Sequence, residues 1–200
     1  MILRKEFACP PAAPSGVRLA RRDAYDPAIL DVYRQFGRTT TEERLRRRFE
    51  HGFRFFELHR AGVAVANLWI ASEGERFVDE LGQGFRVPER AIWLRDVFVD
   101  KGARRQGLFS VLINAVAAGA PAAPRSVLSD VGTRNVVSLR AHNSCGFEVV
   151  TRYRCLHLFG RVLVRLEWPT VPPHGSSYEA GRRWLYTGRD YRRFVAEHLA

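Results

Sequence analysis

The chain has 200 residues, 46% of them hydrophobic, which suits one domain with a sizeable core and an appendage. The formal charge of +11 is carried almost wholly by arginine, with Lys5 and Lys101 the only lysines, and apart from Arg46-Arg47-Arg48 it is spread along the chain rather than clustered as in a dedicated nucleic-acid module. Cys9, Cys145 and Cys155 fit neither a disulfide framework nor a metal pattern, and no apolar run resembles a secretory signal or reaches the roughly twenty residues of a membrane span, so a cytoplasmic protein without bound metal is expected.

Residues 1–15 are rich in Pro and Ala and read as a loose N-terminal segment ahead of a domain over 16–168. Val17-Arg18-Leu19-Ala20 is a short strand. Asp26-Pro27 opens a helix as cap and first-turn proline, with Ile29, Leu30, Tyr33 and Phe36 on one face. Thr40 and Glu43 form a capping box for a second helix that turns Leu45 and Phe49 inward and presents its Arg run to solvent. Strands follow at 53–58 and 63–70, turning at Arg60-Ala61-Gly62. Residues 72–90 form a polar connection, long for a hairpin, and 91–99 is a central apolar strand.

A third helix carries Leu108, Val111, Leu112, Ala115 and Val116 as a buried stripe and ends at Pro121 and Pro124. Ser126–Ser129 is a strand, and 135–145 is a helix closed by Gly146. Two more strands, 147–153 and 162–167, turn near Gly160. Pro169, Pro172 and Pro173 mark a linker over 169–177, and 178–200 reads as an amphipathic, basic C-terminal helix. The order calls for a mixed α/β sheet with helices on both faces and a C-terminal helical extension.

The segment Val97-Phe98-Val99-Asp100-Lys101-Gly102-Ala103-Arg104-Arg105-Gln106-Gly107-Leu108-Phe109 carries the most chemistry. A strand stops, turns through a basic loop and feeds a helix, leaving backbone N–H groups where an anion such as a pyrophosphate can bind. Gly107 relieves the backbone of a Cβ there, and Arg104 and Arg105 add positive charge.

From Trp93 to Phe147 the chain resembles the acyl-CoA-binding core of the GNAT superfamily of N-acyltransferases. Arg104-Arg105-Gln106-Gly107-Leu108-Phe109 occupies the place of the family's Arg/Gln-x-x-Gly-x-Gly/Ala loop, after a Val99-Asp100 strand end. Asn135-Val136-Val137-Ser138 and then Cys145-Gly146-Phe147 match the downstream Asn-x-x-Ala/Ser helix and its Gly-Phe exit. The resemblance implies a splayed central sheet and a direct transfer from acetyl-CoA, or another short acyl-CoA, to an acceptor. That acceptor is a small molecule, most commonly an amine, amino sugars included.

It further implies that the amides from Arg104 to Phe109 hold the pyrophosphate and that Val97, Phe98 and Val99 pair with the pantetheine arm. The Val97 N–H would polarise the thioester carbonyl, and Asn135 and Ser138 would contact the cofactor. Phe109 departs from the family, which has a small residue there. His142 departs too, standing where many members carry a tyrosine that protonates the leaving thiolate. Imidazolium, with a pKa of about 6.5, is a competent donor to a thiolate of about 8.5, but a packed histidine fits the sequence as well.

No general base is evident. Asp96 lies on the central strand, where it is either a base or structural, and Asp79, Glu80 and Glu89 lie in the long connection. Cys145 lacks the His and acid partners of a nucleophile. Asp23, Asp26 and Asp31 lack metal-loop spacing. Given the basic balance, a neutral or anionic acceptor fits better than a polycation. A non-catalytic acyl-CoA sensor or scaffold is the alternative reading, and a homodimer is compatible with the chain.

Overall fold

The computed structural model describes residues 1–7, 16–78, 83–119, 124–158, 161–168 and 185–186. In chain order the elements are β1 (Ile2–Glu6), β2 (Arg18–Arg22), α1 (Ala28–Gln35), α2 (Glu42–Glu50), β3 (Arg54–Arg60) and β4 (Val63–Ala71). Then come β5 (Glu75–Val78), β6 (Gln83–Arg86), β7 (Ala91–Val99), α3 (Leu108–Ala118) and β8 (Ser126–Asp130). The series ends with α4 (Val136–Ser144), β9 (Glu148–Leu158), β10 (Arg161–Trp168) and β11 (Leu185–Tyr186). A short 3-10 turn at Lys101–Ala103 links β7 to α3. Among the described residues, no helix is long and apolar enough to cross a membrane.

The chain forms two units, one of residues 1–5, 73–89 and 128–200, the other of residues 6–72 and 90–127. In the second unit the strands run in the order β7-β4-β3-β2, each antiparallel to its neighbour. Its strands alternate, so the two faces differ. Tyr33 of α1 and Phe49 of α2 pack on Phe55 and Trp69, with the Phe55 and Trp69 ring centroids 4.9 Å apart. Gly119, just past α3, lies against Leu19, which pairs with Leu58 in the ladder and so belongs to the opposite face. Leu45, Phe55, Leu58, Leu68, Trp69, Leu112 and Ile113 are fully buried, each worth about 2 kcal/mol of apolar burial.

Local sequence explains the helix starts. The Asp26 carboxylate accepts the Ala28 N–H at 2.9 Å and so starts α1. At α2 the cap is Thr41 rather than Thr40, its Oγ1 accepting from the Arg44 N–H at 3.2 Å. The Arg run is not wholly solvated either. Arg46 and Arg47 pair with Glu42 and Glu43 on the helix surface, but Arg48 lies three residues beyond Leu45 and turns inward with it.

In the first unit the strand order is β11-β10-β9-β1-β8. Residues 2–6 are a strand, not loose chain: the apolar Ile2 and Leu3 are buried and β1 pairs antiparallel with β9. The remainder of the expected loose segment, 8–15, falls outside the described residues. The polar connection at 72–90 holds a separate antiparallel hairpin, β5–β6. The expected C-terminal helix over 178–200 and the linker 169–177 lie outside the described residues, except that Leu185–Tyr186 are extended and pair with Leu163 and Val164 of β10.

Candidate active site

The second unit contributes the end of β7 and the loop after it. Residues Ala91–Leu94 are buried, whereas Arg95–Val99 are half-exposed although a neighbour strand is paired on β4's side. The change coincides with a bulge: Asn67 pairs with Phe98 and Trp69 with Arg95, so Asp96 and Val97 together face the single residue Leu68. Asp96 takes a left-handed φ of +52°, which aspartate tolerates better than most residues but which still strains a strand.

Asp96 is held from two helices' worth of chain. The Tyr33 hydroxyl donates to its Oδ2 at 2.8 Å, Arg48 donates to the same oxygen at 2.9 Å, and Arg38 donates to Oδ1. The hydroxyl in turn accepts from Arg48 and from the Trp69 indole N–H, both at 3.0 Å, which uses its donor and both lone pairs. Burial pushes the Asp96 carboxyl up, but the Arg48 and Arg38 charges outweigh it and bring its pKa to about 2. A carboxylate so bonded by three donors binds protons weakly, which matches the structural one of the two roles open to Asp96 from sequence.

Beyond β7 the Asp100 carboxylate accepts the Gly102 N–H at 2.8 Å, and the Asp100 N–H reaches the Val65 carbonyl of β4 at 2.9 Å. Arg104, Arg105, Gln106 and Gly107 are exposed, Leu108 is buried and Phe109 is half-buried. Arg105 and Gly107 both have left-handed φ, +63° and +71°, and Gly107 is the residue from which α3 starts. A Cβ on Gly107 would meet no atom within 4 Å, so the residue answers a backbone need and the loop face beside it is open. Arg60 from the β3–β4 turn bonds Gln106, tying that turn to the loop. The Arg104 Nε donates to the Val99 carbonyl at 3.2 Å, and its guanidinium lies 5.5 Å from the Phe98 ring centroid.

α4 lies in the first unit and carries further residues singled out from the sequence. The Asn135 side chain caps it by accepting the Ser138 N–H at 3.1 Å, and Val136 and Val137 in its first turn are exposed. Cys145 and Gly146 close it, with Gly146 at a left-handed φ of +79°. His142 is 3% exposed. Its Nδ1 donates to the Ser138 carbonyl at 2.7 Å, and its Nε2 lies 2.9 Å from the Ser129 hydroxyl. Those bonds assign the proton to Nδ1 and leave Nε2 as an acceptor. Burial lowers the His142 pKa, opposed by the Ser138 carbonyl and by Asp130. With both nitrogens engaged inside the fold, the ring is arranged as a packed histidine, the second of the two roles open to it from sequence.

Of the other candidate bases, Asp79 and Glu80 fall outside the described residues, and Glu89 is exposed in the first unit. Sequence reasoning missed Arg38 and Arg48. The i, i+3 spacing of Leu45 and Arg48 was the available signal, since it sets Arg48 on the buried stripe. It also missed Asn67, which is fully buried opposite Phe98 with neither amide atom hydrogen-bonded. Among the described residues no group of three His, Cys, Asp or Glu side chains could hold a metal.

No family model matches the sequence, and no curated protein matches it either. Solved structures do match. The chain is similar to AAC(6')-Iy in complex with the bisubstrate analogue CoA-S-monomethyl-acetylneamine, at 21% identity and a TM-score of 0.51, over 69% of this chain and 95% of that one. It is also similar to the aminoglycoside antibiotic 6'-N-acetyltransferase AAC(6')-Ih from Acinetobacter baumannii, at 19% identity and a TM-score of 0.49, over 68% and 94%. A third likeness is to a GCN5-related N-acetyltransferase from Kribbella flavida, at 16% identity and a TM-score of 0.43, over 74% and 52%. Of these three the first alone carries an argument, and that argument concerns architecture: the chain has the GNAT fold, as its loop and strand motifs led one to expect.

Proposed function

We propose that the protein is an acyl-CoA-dependent N-acyltransferase that moves an acetyl or short acyl group to an amine in a ternary complex. The observation that carries this reading is the half-exposed, bulged end of β7 running directly into the left-handed, arginine-bearing loop at the start of α3. A half-exposed, bulged strand end suits an extended pantetheine arm. The first turn of a helix, whose N–H groups have no acceptor within the helix, suits a pyrophosphate. The open face beside Gly107 leaves room for it, so the residues present fit the cofactor.

Bound acetyl-CoA would supply an activated thioester carbonyl. Residues 104–109 would hold its phosphates, with Arg104 exchanging its bond to the Val99 carbonyl for one to the anion. The backbone of Val97–Val99 would align the arm, and the Val97 N–H would hydrogen-bond the carbonyl oxygen as charge develops on it. The departing thiolate, with a conjugate-acid pKa of about 8.5, is a tolerable leaving group without a dedicated acid. The acceptor amine would lose its proton to water, since Asp96 stays ionised and His142 is sequestered.

A second reading, an acyl-CoA sensor without turnover, is favoured by one observation: both Asp96 oxygens and both His142 ring nitrogens are bonded within the fold. Thiol release from acetyl-CoA, followed with a panel of amines that includes amino sugars and amino acids, separates the two. Amine-dependent release supports the transferase. Tight acetyl-CoA binding with no amine-dependent release across the panel supports the sensor.

A further inference from the structure

We propose that Asp96 is a positioning residue that locks the β7 bulge and thereby aims the Val97 N–H, with Tyr33, Arg38 and Arg48 as its fixed partners. The inference rests on the acyl-CoA reading above. Asp96 and Val97 are the two residues opposite Leu68, so whatever fixes both backbone torsions of Asp96 fixes the peptide plane that presents the Val97 N–H. A left-handed residue within a strand relaxes toward regular pairing unless its surroundings over-determine it. Here they do so from three directions. Tyr33 comes from α1, Arg38 from the turn after it and Arg48 from α2, and all three bond the same carboxylate.

The partners are themselves immobilised. The Tyr33 hydroxyl is anchored by the buried Trp69 indole of β4. The Arg48 guanidinium lies 5.0 Å from the Trp69 ring centroid, and that of Arg38 lies 4.8 Å from the Tyr33 ring and 5.2 Å from the Phe98 ring. Phe98 follows Val97 directly and packs on Phe36 at 5.0 Å between centroids. The cluster therefore grips the strand on both sides of Val97, at Asp96 through its carboxylate and at Phe98 through its ring. An acceptor that displaced α1 or α2 would move the same amide, which couples the helical layer to the thioester.

The test is the infrared C=O stretch of acetyl-CoA, 13C-labelled at the acetyl carbonyl and bound to the full chain. CoA affinity is measured in parallel, because the phosphate loop lies outside the cluster. Wild-type protein is expected to shift the stretch to lower frequency than in buffer. Asp96→Val, whose β-branched side chain resists a left-handed φ, is expected to lose the shift while keeping CoA affinity within about threefold. Asp96→Asn, which tolerates that φ, is expected to recover most of the shift.

If Asp96→Val does not fold, Tyr33→Phe stands in and should lose part of the shift. An unchanged shift in the folded variants overturns the proposal, as does a loss of CoA affinity that parallels the loss of shift, which would mark a merely structural role. A wild-type protein that binds acetyl-CoA without any shift overturns the aiming of Val97 alone. A wild-type protein that binds no acetyl-CoA overturns the acyltransferase reading and this inference with it.

Discussion

Asp96, half-buried, and His142, buried, are titratable side chains in different units, and their surroundings treat them in opposite ways. Asp96 is supplied with two guanidinium groups and a hydroxyl, so the charged form survives burial. His142 has the Ser138 carbonyl and the Ser129 hydroxyl on its two ring nitrogens, and burial lowers its pKa against the opposing pull of the Ser138 carbonyl and Asp130. The residue type does not decide whether a buried group can exchange protons. The charge and hydrogen-bonding capacity placed around it decide, and here they favour the charged form of Asp96 and lower the pKa of His142.

The largest effect should come from removing one of the charges that keeps Asp96 ionised. Arg48→Ala leaves a buried carboxylate one guanidinium short and should cost about 3 kcal/mol in a denaturant unfolding experiment. A loss near zero would mean that Arg38 and Tyr33 suffice and that the cluster is redundant. Next comes the acid arm. The Asp96 pKa is lowered from 3.8 to about 2, so its contribution is complete above the unfolded value and is lost as pH falls through the folded one. Between about pH 4 and pH 2 that loss should approach 2 kcal/mol, and Asp96→Asn should be flatter across the same window.

His142 gives a smaller effect in a different window. Its folded pKa is lowered, so the folded chain resists the proton that the unfolded chain accepts, and stability should fall as pH drops below about 6.5. His142→Gln should flatten that fall in thermal unfolding while costing about 1 kcal/mol at neutral pH through imperfect bonds to Ser129 and Ser138. If His142→Gln instead abolished turnover at unchanged stability and CoA affinity, the histidine would return to the mechanism. The smallest effect concerns Asn67. Both of its amide atoms are buried and unbonded, so Asn67→Leu should be neutral or stabilising by up to about 1 kcal/mol. A clear loss of stability would mean that Asn67 has a partner in solution.

The two regions were not equally legible in the sequence. The left-handed loop into α3 was, because Gly107 and its arginines sit between a strand and a helix whose periodicities are local. The capped and closed helix α4 was legible for the same reason, from Asn135 and Gly146. The Asp96 cluster was not, since Tyr33, Arg38, Arg48 and Asp96 are brought together by tertiary packing and no sequence spacing connects them. The bulge at Asp96 likewise leaves no mark in the spacing of β7, because it arises from pairing with β4. β1 was missed because a five-residue strand next to a Pro-rich stretch carries too little pattern, whereas its burial against β9 is a property of the folded sheet.

The central claim is that the end of β7 and the loop into α3 hold an acyl-CoA. It is tested most directly by calorimetric titration of the protein with acetyl-CoA and with free CoA, beside Gly107→Glu. That variant puts a negative charge and a strained left-handed φ at the start of α3. The account predicts micromolar binding of both ligands by the wild type and none by Gly107→Glu in a folded variant. Absence of binding to the wild type, or equal binding by the variant, would contradict it.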